Sequence, residues 1–494
     1  MNVSNGFNVL GKTRRVHFVG VGGIGMSGIA ELLANLGYVV TGSDLQRSSV
    51  TDRLATIGIR MAYGHAPEHV AGADVVVVSS AVRPGNPEVA EAIRHQIPVI
   101  PRAEMLAELM RLRYSIAVAG SHGKTTTTSM IALALERAGL DPTAVIGGRL
   151  SAFGSSARLG HGELMVVEAD ESDRSFLRLF PTIAVMTNID HEHLESYGSL
   201  ANLQQAFVDF GNKVPFYGAV VAYADDAYLN AVLPRMMRRV TTYGVDAEEA
   251  DVTAANVELR PLGVSATVKR RARSSNDSAK TPVALGALCL NVPGRHNLQN
   301  ALAAIAVCIE LGLPFEKVAA GLRDFRGAER RFEVRGEPNG ILIIDDYGHH
   351  PTEIAAVMAA AGALNRRLIV AFQPHRFTRT AALLDAFGPA LAGAAHIVLT
   401  DIYGAGEDPI PGVSLAAIAA SVRRQLTVPV DVVPRVDEVA AALARIARHG
   451  DLVVTLGAGS IGMVPDQLIA LLQGGPGVES AGEATAAVRR GEEA

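Results

Sequence analysis

The stretch Ser115-Ile-Ala-Val-Ala-Gly120-Ser-His-Gly123-Lys124-Thr125-Thr126 decides the fold. Its first five residues read as a buried strand. Glycines follow, and a helical pattern runs from about 125 to 138. Strand, glycine loop and helix in that order make a phosphate-binding loop. Backbone N–H groups wrap a polyphosphate, Lys124 reaches the β- and γ-phosphates, and the Thr125 hydroxyl suits Mg²⁺. The usual spacing, GxxxxGK[ST], would put a glycine at 118, where this chain has Val118, so the loop is a shortened form. Gly120, Ser121, His122, Gly123, Lys124, Thr125 and Thr126 are its candidate triphosphate-binding residues. A capped helix with an incidental lysine is the plain alternative, and it leaves the agreement of strand, loop and helix unexplained.

Upstream, apolar runs at 15–20, 38–41, 74–79 and 98–100 alternate with helical patterns, as βαβ units around a parallel sheet do. The first run opens Gly20-Val-Gly22-Gly23-Ile-Gly25, which allows a phosphate to approach a helix start, and Asp44 follows the next strand candidate. This block alone also suits an NAD-dependent oxidoreductase. Such an enzyme has no use for the second, triphosphate-type loop. Downstream of that loop, Glu168-Ala-Asp-Glu-Ser-Asp173 and Thr-Asn-Ile-Asp-His-Glu-His193 end two further strand candidates. Glu168 is a reasonable Mg²⁺ ligand. His193, as a lone loop histidine, reads first as a surface residue. Pro-Gly-Arg295-His-Asn297-Leu-Gln-Asn300 opens an apolar helix expected over 298–311; its asparagines can read an adenine edge or cap the helix. The basic segment 269–280 reads as a solvated loop between strands.

From about 328 a third block has strand candidates at 341–346, 368–372, 396–400, 430–433 and 452–457. Polar clusters lie at the strand ends: Arg330-Arg331, Asp345-Asp346-Tyr-Gly-His-His and Gln-Pro-His375-Arg376-Phe-Thr-Arg379. Ligands bind at the C-terminal ends of parallel strands, and arginine forks suit carboxylates and phosphates. The chain therefore reads as α/β in three blocks, 1–113, 114–327 and 328–475, the middle one carrying the phosphate-binding loop. Residues 476–494 lack apolar periodicity and read as a disordered tail.

The 494 residues are 49% apolar and 19% charged, which excludes wholesale disorder and a small disulfide scaffold. Net charge is −5, so there is no broad cationic surface for nucleic acid. Of two cysteines, Cys308 lies in an apolar run and reads as core. Neither a signal peptide nor an apolar run long enough for membrane insertion is seen, and a cytoplasmic location is expected.

Taken together, these motifs resemble the Mur ligase family. The matching segments are 17–30, Gly-Ser-His-Gly-Lys-Thr-Thr-Thr, Glu-Ala-Asp-Glu-Ser-Asp, Thr-Asn-Ile-Asp-His-Glu-His, Gly-Arg-His-Asn-Leu-Gln-Asn-Ala, Asp-Asp-Tyr-Gly-His-His-Pro-Thr-Glu and Gln-Pro-His-Arg-Phe-Thr-Arg-Thr, in family order over almost the whole chain. The Gly-Met-Ser-Gly-Ile-Ala continuation of the first loop is like the alanine-adding member. The resemblance implies that ATP activates the lactyl carboxylate of UDP-N-acetylmuramate as an acyl phosphate, which L-alanine then attacks, in peptidoglycan precursor synthesis.

The resemblance also implies a Rossmann-like N-terminal domain (1–113), a central P-loop-type ATPase domain (114–327) and a Rossmann-like C-terminal domain (328–475), with residue roles in each. Gly20, Gly22, Gly23, Gly25, Met26, Ser27 and Asp44 would hold the UDP-substrate. Lys124 would bind the transferring phosphate, and Asn297 and Asn300 the adenine side, with Asp345 and Asp346 also on ATP. Thr125 and Glu168 would hold one Mg²⁺, and Glu168 and His193 a second. Arg330 or Arg331 would complete a charge clamp, and His375, Arg376 and Arg379 would take L-alanine. Domain closure to exclude water is expected with this chemistry, in a monomer or weak homodimer. Glu192 stands where the family often has Asp, and no counterpart of the family's carbamylated lysine is identified.

Overall fold

The alternating apolar runs fold into three sheets, seen in a computed structural model that describes residues 10–79, 81–150, 155–191, 194–271, 282–327 and 330–474. His193, Glu192, most of the 269–280 segment and the 476–494 tail lie outside these residues. The chain forms two units, divided between Glu329 and Arg330.

The first unit holds two sheets. Strands β1 (Arg15–Val19), β2 (Val39–Asp44), β3 (Arg60–Tyr63), β4 (Val75–Val78) and β5 (Val99–Pro101) are ordered β3-β2-β1-β4-β5 and are all parallel. Val16, Phe18 and Val77 are fully buried, as expected of strands covered on both faces. The strand order reverses beside β1, so the glycine loop that follows β1 occupies the crevice where such sheets bind ligands. Helix α1 (Ile24–Asn35) leaves that loop, and α2 (Arg102–Met110) follows β5.

The second sheet is built on β6 (Tyr114–Ala119), β7 (Thr143–Leu150), β8 (Ser155–Arg158), β9 (Leu164–Glu168), β10 (Ile183–Met186), β11 (Ala219–Tyr223) and β12 (Val240–Gly244). Strands β13 (Val252–Arg260), β14 (Gly263–Arg271) and β15 (Pro282–Leu290) extend it to ten strands, ordered β15-β14-β13-β12-β11-β10-β6-β9-β7-β8. Its centre is parallel, but β13, β14 and β15 pair antiparallel, with register breaks at Ala255/Glu258 and Val268/Lys269. The basic segment 269–280 begins inside β14, which ends at Arg271. Helix α3 (Lys124–Arg137) leaves β6, and α4 (Arg295–Glu310) packs on it. Helix α4 starts three residues earlier than its apolar pattern suggests, because Gly294, at φ +91°, turns the chain into it. Cys308 is buried in this helix, and burial pushes its thiol up to about 12.

The second unit has β16 (Glu333–Gly336), β17 (Leu342–Asp346), β18 (Leu368–Phe372), β19 (His396–Leu399), β20 (Val430–Val432) and β21 (Leu452–Leu456), ordered β16-β17-β21-β18-β19-β20. Only β16 runs antiparallel. Helices α5 (Pro351–Gly362) and α6 (Phe377–Leu383) follow β17 and β18. Among the described residues no helix is long and apolar enough to cross a membrane.

Phe176, fully buried, packs against Phe207 and Phe210 with ring centroids 5.3 and 5.0 Å away. Phe176→Ala should therefore cost about 3–5 kcal/mol, read as a lower denaturation midpoint by urea titration. A change below about 1 kcal/mol would show that this cluster is not a tight core.

Candidate active site

The first unit carries two glycine loops, each following a strand and leading into a helix. In the first, the Gly20 and Val21 amides donate to the Ser43 carbonyl, and the Gly22 amide donates to Asp44 Oδ2 at 2.8 Å. Asp44 thus carries the loop itself. A Cβ at Gly22 would sit 2.8 Å from that same oxygen. Met26 and Ser27 are each 1% exposed, at the start of α1. A cleft of about 300 Å³ opens beside the loop, lined by Gly23, Gly25, Met26 and Ser79 on one side and by Glu168 and Asp170 on the other. Arg102, the first residue of α2, reaches into it. Its guanidinium lies against Gly25 and 4.0 Å from Asp170 Oδ2. Arg102 has no motif around it, so sequence reasoning passed it over.

The second loop follows β6. Val118, in place of the usual glycine, is fully buried within the strand and pairs with Glu168, so the loop is short because the strand is longer. Gly120 has φ +141°, and a Cβ there would lie 1.9 Å from Thr187 Oγ1. The loop is braced by 187–190. The Ser121 amide donates to the Asn188 carbonyl, the His122 amide to Asn188 Oδ1, and His122 Nε2 meets Asp190 Oδ2 at 2.9 Å. Those two amides are already engaged, which leaves the orphan amides of the first turn of α3 as the backbone donors that could meet an anion.

Lys124 Nζ donates to Gly120 O (2.6 Å), Ser121 O (3.2 Å) and Glu171 Oε1 (2.9 Å). Burial works against its charge. The Glu171, Asp170 and Glu168 carboxylates outweigh that and hold its pKa above the ordinary lysine value. Thr125 Oγ1 donates to Glu168 Oε1 at 3.2 Å, which gathers two hard oxygen donors where α3 begins and β9 ends. Asn297 and Asn300 are 7% and 8% exposed. Asn297 Nδ2 donates to Pro293 O, while Asn300 Oδ1 accepts from Thr127 and sits where a Cβ of Gly123 would point. Asn300 thus joins α4 to the loop, while Asn297 braces the entry into its own helix.

In the second unit the strand ends of β17, β18 and β19 converge. Arg330, expected as one of two candidate clamps, is committed to its own fold. Its guanidinium donates to Asp345 Oδ2 (2.7 Å), Gly457 O (2.6 Å) and Gly459 O (3.2 Å). Arg331 keeps more of its side chain exposed, 30% against 17%, beside Glu353 at 3.5 Å. Asp345 and Asp346, expected on ATP, are turned inward. Asp345 holds Arg330 and Thr455. Asp346 accepts from the Phe332 and Gly348 amides, and burial pushes it up to about 6 despite the nearby Arg331 charge.

His375 stacks on Tyr403 (5.7 Å, 13°) and lies 5.3 Å from the His349 ring, which in turn meets Tyr347 edge-on. Arg379 Nη1 reaches His375 Nδ1 at 3.3 Å, and Arg376, at φ +68°, lies 3.6 Å from Glu407. Tyr347 and His349 belong to the strand-end loop after β17 that was expected at the site, though without named roles, whereas Tyr403 was not expected there. Tyr403 follows strand β19, and that position was its only sequence signal.

The model of the Mur ligase family catalytic domain matches residues 15–114, that of the Mur ligase middle domain 118–308, and that of the Mur ligase glutamate ligase domain 330–459. A UDP-N-acetylmuramate–L-alanine ligase from Geobacter sp. (strain M21) is 51% identical over 94% of this chain and 98% of its own. One from Anaeromyxobacter dehalogenans (strain 2CP-C) is 53% identical over 93% and 98%. Among solved structures, a UDP-N-acetylmuramate–alanine ligase from Thermotoga maritima aligns with TM-score 0.79 at 28% identity, covering 93% of this chain and 99% of that one.

Burial, with the His349, Arg379 and Arg376 charges, lowers His375 from 6.5 to about 3. The unfolded chain takes up this proton near pH 6.5 and the folded chain only near 3, so stability falls as pH drops through that window. His375→Asn should flatten the fall between pH 6.5 and 4 in urea titrations. An unchanged slope would mean that the ring is not held neutral.

Proposed function

The chain belongs to the Mur ligase family, and on that premise we propose how its residues divide the work of an ATP-dependent ligase that joins L-alanine to the lactyl carboxylate of UDP-N-acetylmuramate in peptidoglycan precursor synthesis. The observation that supports this division is the gathering of Lys124, Thr125 and Glu168 around the second glycine loop, with Glu168 also lining the cleft beside the first glycine loop. The domains run 1–113, 114–327 and 328–475, with UDP-substrate, ATP and amino acid as their ligands, and the enzyme works in the cytoplasm.

A carboxylate is a poor acyl donor until one of its oxygens becomes a leaving group. The lactyl oxygen attacks the γ-phosphorus, the bond to the bridging β–γ oxygen breaks, and ADP leaves. The amine of L-alanine then attacks the acyl carbon and inorganic phosphate departs. Phosphoryl transfer needs positioning and charge neutralisation above all. Lys124, kept charged by its carboxylate neighbours, supplies a cation at the loop, and the amides of the first α3 turn supply oriented donors. Thr125 and Glu168 offer the hard oxygen ligands that Mg²⁺ favours, with His193 joining Glu168 by resemblance. When bound, Mg²⁺ would neutralise phosphate charge.

In the second unit Arg379 forks onto the alanine carboxylate. His375, neutral and accepting from Arg379, orients that fork; with its pKa near 3 it is too weak a base to take the amine proton. Arg331 serves as the charge clamp, since Arg330 is committed within its unit.

Phosphate release measured with each UDP-sugar and amino-acid pair tests the reading: release should require UDP-N-acetylmuramate and L-alanine together. Release that ignores the amino acid would point to a nucleotide switch. Lys124→Ala should abolish ligation yet leave calorimetric binding of the UDP-substrate nearly intact; equal loss of both would dismiss the division of ligands.

Arg379→Ala should raise the KM for L-alanine about ten- to a hundredfold, the worth of a charge-assisted pair. The KM for ATP should change little. Borohydride trapping should still detect the acyl phosphate, because that step precedes alanine attack. An unchanged alanine KM with no trappable intermediate would move Arg379 to the phosphate.

A further inference from the structure

The first unit buries a carboxylate that none of the roles above uses. Glu88, near the start of the helix Pro87–Arg94, is 0% exposed. Its Oε2 meets His17 Nε2 at 2.8 Å and accepts from Ser43 Oγ at 2.7 Å, while its Oε1 meets His65 Nδ1 at 2.9 Å and His69 Nδ1 at 3.1 Å. Burial alone would raise Glu88, but these four partners hold it down to about 2. It is therefore ionised and can only accept. Each imidazole must turn an N–H toward it.

For His65 and His69 that places the proton on Nδ1, the minor tautomer of free neutral histidine. Their Nε2 atoms are then bare acceptors. Neither Nε2 is hydrogen-bonded among the described residues, and the two side chains stay 16% and 21% exposed.

The cluster is tied to the first glycine loop. Ser43, which donates to Glu88, is also the residue whose carbonyl takes the Gly20 and Val21 amides. Gly64, just before His65, donates its amide to the Asp44 carbonyl. His65 follows the C-terminal end of β3, on the ligand-binding edge of the parallel sheet.

We infer that Glu88 is a positioning residue that fixes His65 and His69 as Nδ1–H tautomers, so that their Nε2 atoms accept a hydrogen bond from the nucleoside of the UDP-substrate. The ligand half of this rests on the UDP-substrate's binding to the first sheet. A uridine offers two kinds of donor, the uracil N3–H and the ribose hydroxyls. A network that merely filled the interior would not need two partly exposed rings in the minor tautomer.

The tautomers are read first, on the full-length unliganded protein, by long-range ¹H–¹⁵N correlation at pH 8 with single His→Gln variants for assignment. His65 and His69 should show Nδ1–H and His17 Nε2–H. Glu88→Gln, whose amide must face one pair of its donors, should switch at least one ring. Nε2–H or doubly protonated rings at both His65 and His69 in the wild type overturn the inference, whether or not any variant folds.

Calorimetry with UDP reads the second half. His65→Ala or His69→Ala should weaken UDP about tenfold and leave ATP binding unchanged. CDP, which lacks an N3–H, and 2′-deoxy-UDP separate the donors: the analogue that already binds the wild type weakly and loses nothing further in the variant identifies the group. Wild-type affinity for UDP in both variants overturns the recognition role. A wild-type chain that binds ATP but no UDP overturns the placement of the UDP-substrate, and with it the ligand half.

Discussion

The central site depends on the absence of one methyl group. Gly120 turns out of β6 at φ +141°, and any Cβ there would collide with the Thr187 hydroxyl. Only because that space is empty can the loop lie against 187–190, where Asn188 takes two of its amides and Thr187 donates to the His122 carbonyl. With the loop pinned, its carbonyls converge on Lys124, and α3 starts with its first-turn amides directed outward. A lysine buried among backbone oxygens and carboxylates is costly unless every neighbour is placed beforehand. The glycine, the asparagine and Glu171 perform that placement.

The architecture was legible because parallel strands buried on both faces leave continuous apolar runs. The run at 368–372 matches its observed strand end to end, and that at 341–346 is longer by one residue. Of the antiparallel strands β13, β14 and β15, the sequence indicated only a strand on each side of 269–280, without bounds, for the converse reason. Partly and fully exposed residues are mixed with buried ones along these strands, and no continuous apolar run stands out. Within the site, the glycine loops were readable because backbone conformation selects glycine at defined spacing. Arg102, Tyr403 and the Glu88 partners were not readable, since they meet only across the fold. His17 and Glu88 are 71 residues apart and share one hydrogen bond.

Arg330 and Arg331 show the limit of motif reading. The two are adjacent and chemically identical, yet one side chain ties β17 to the loop after β21 while its neighbour remains at the edge of the cluster. Arg330 sits at φ +56°, and that turn sends consecutive side chains to different surroundings. No pattern of residue types encodes this; it follows from where Asp345 and the Gly457 and Gly459 carbonyls lie.

The irregular pairing of β13, β14 and β15 has a consequence for the chain in a crowded cell. β15 is an edge of the ten-stranded sheet, and a flat edge offers its unpaired amides and carbonyls to any passing strand. Here the neighbouring ladder slips at Val268/Lys269, and β15 carries Gly286 at φ +152°. A kinked edge is a poor template. The same irregularity guards the folded enzyme against edge-to-edge aggregation.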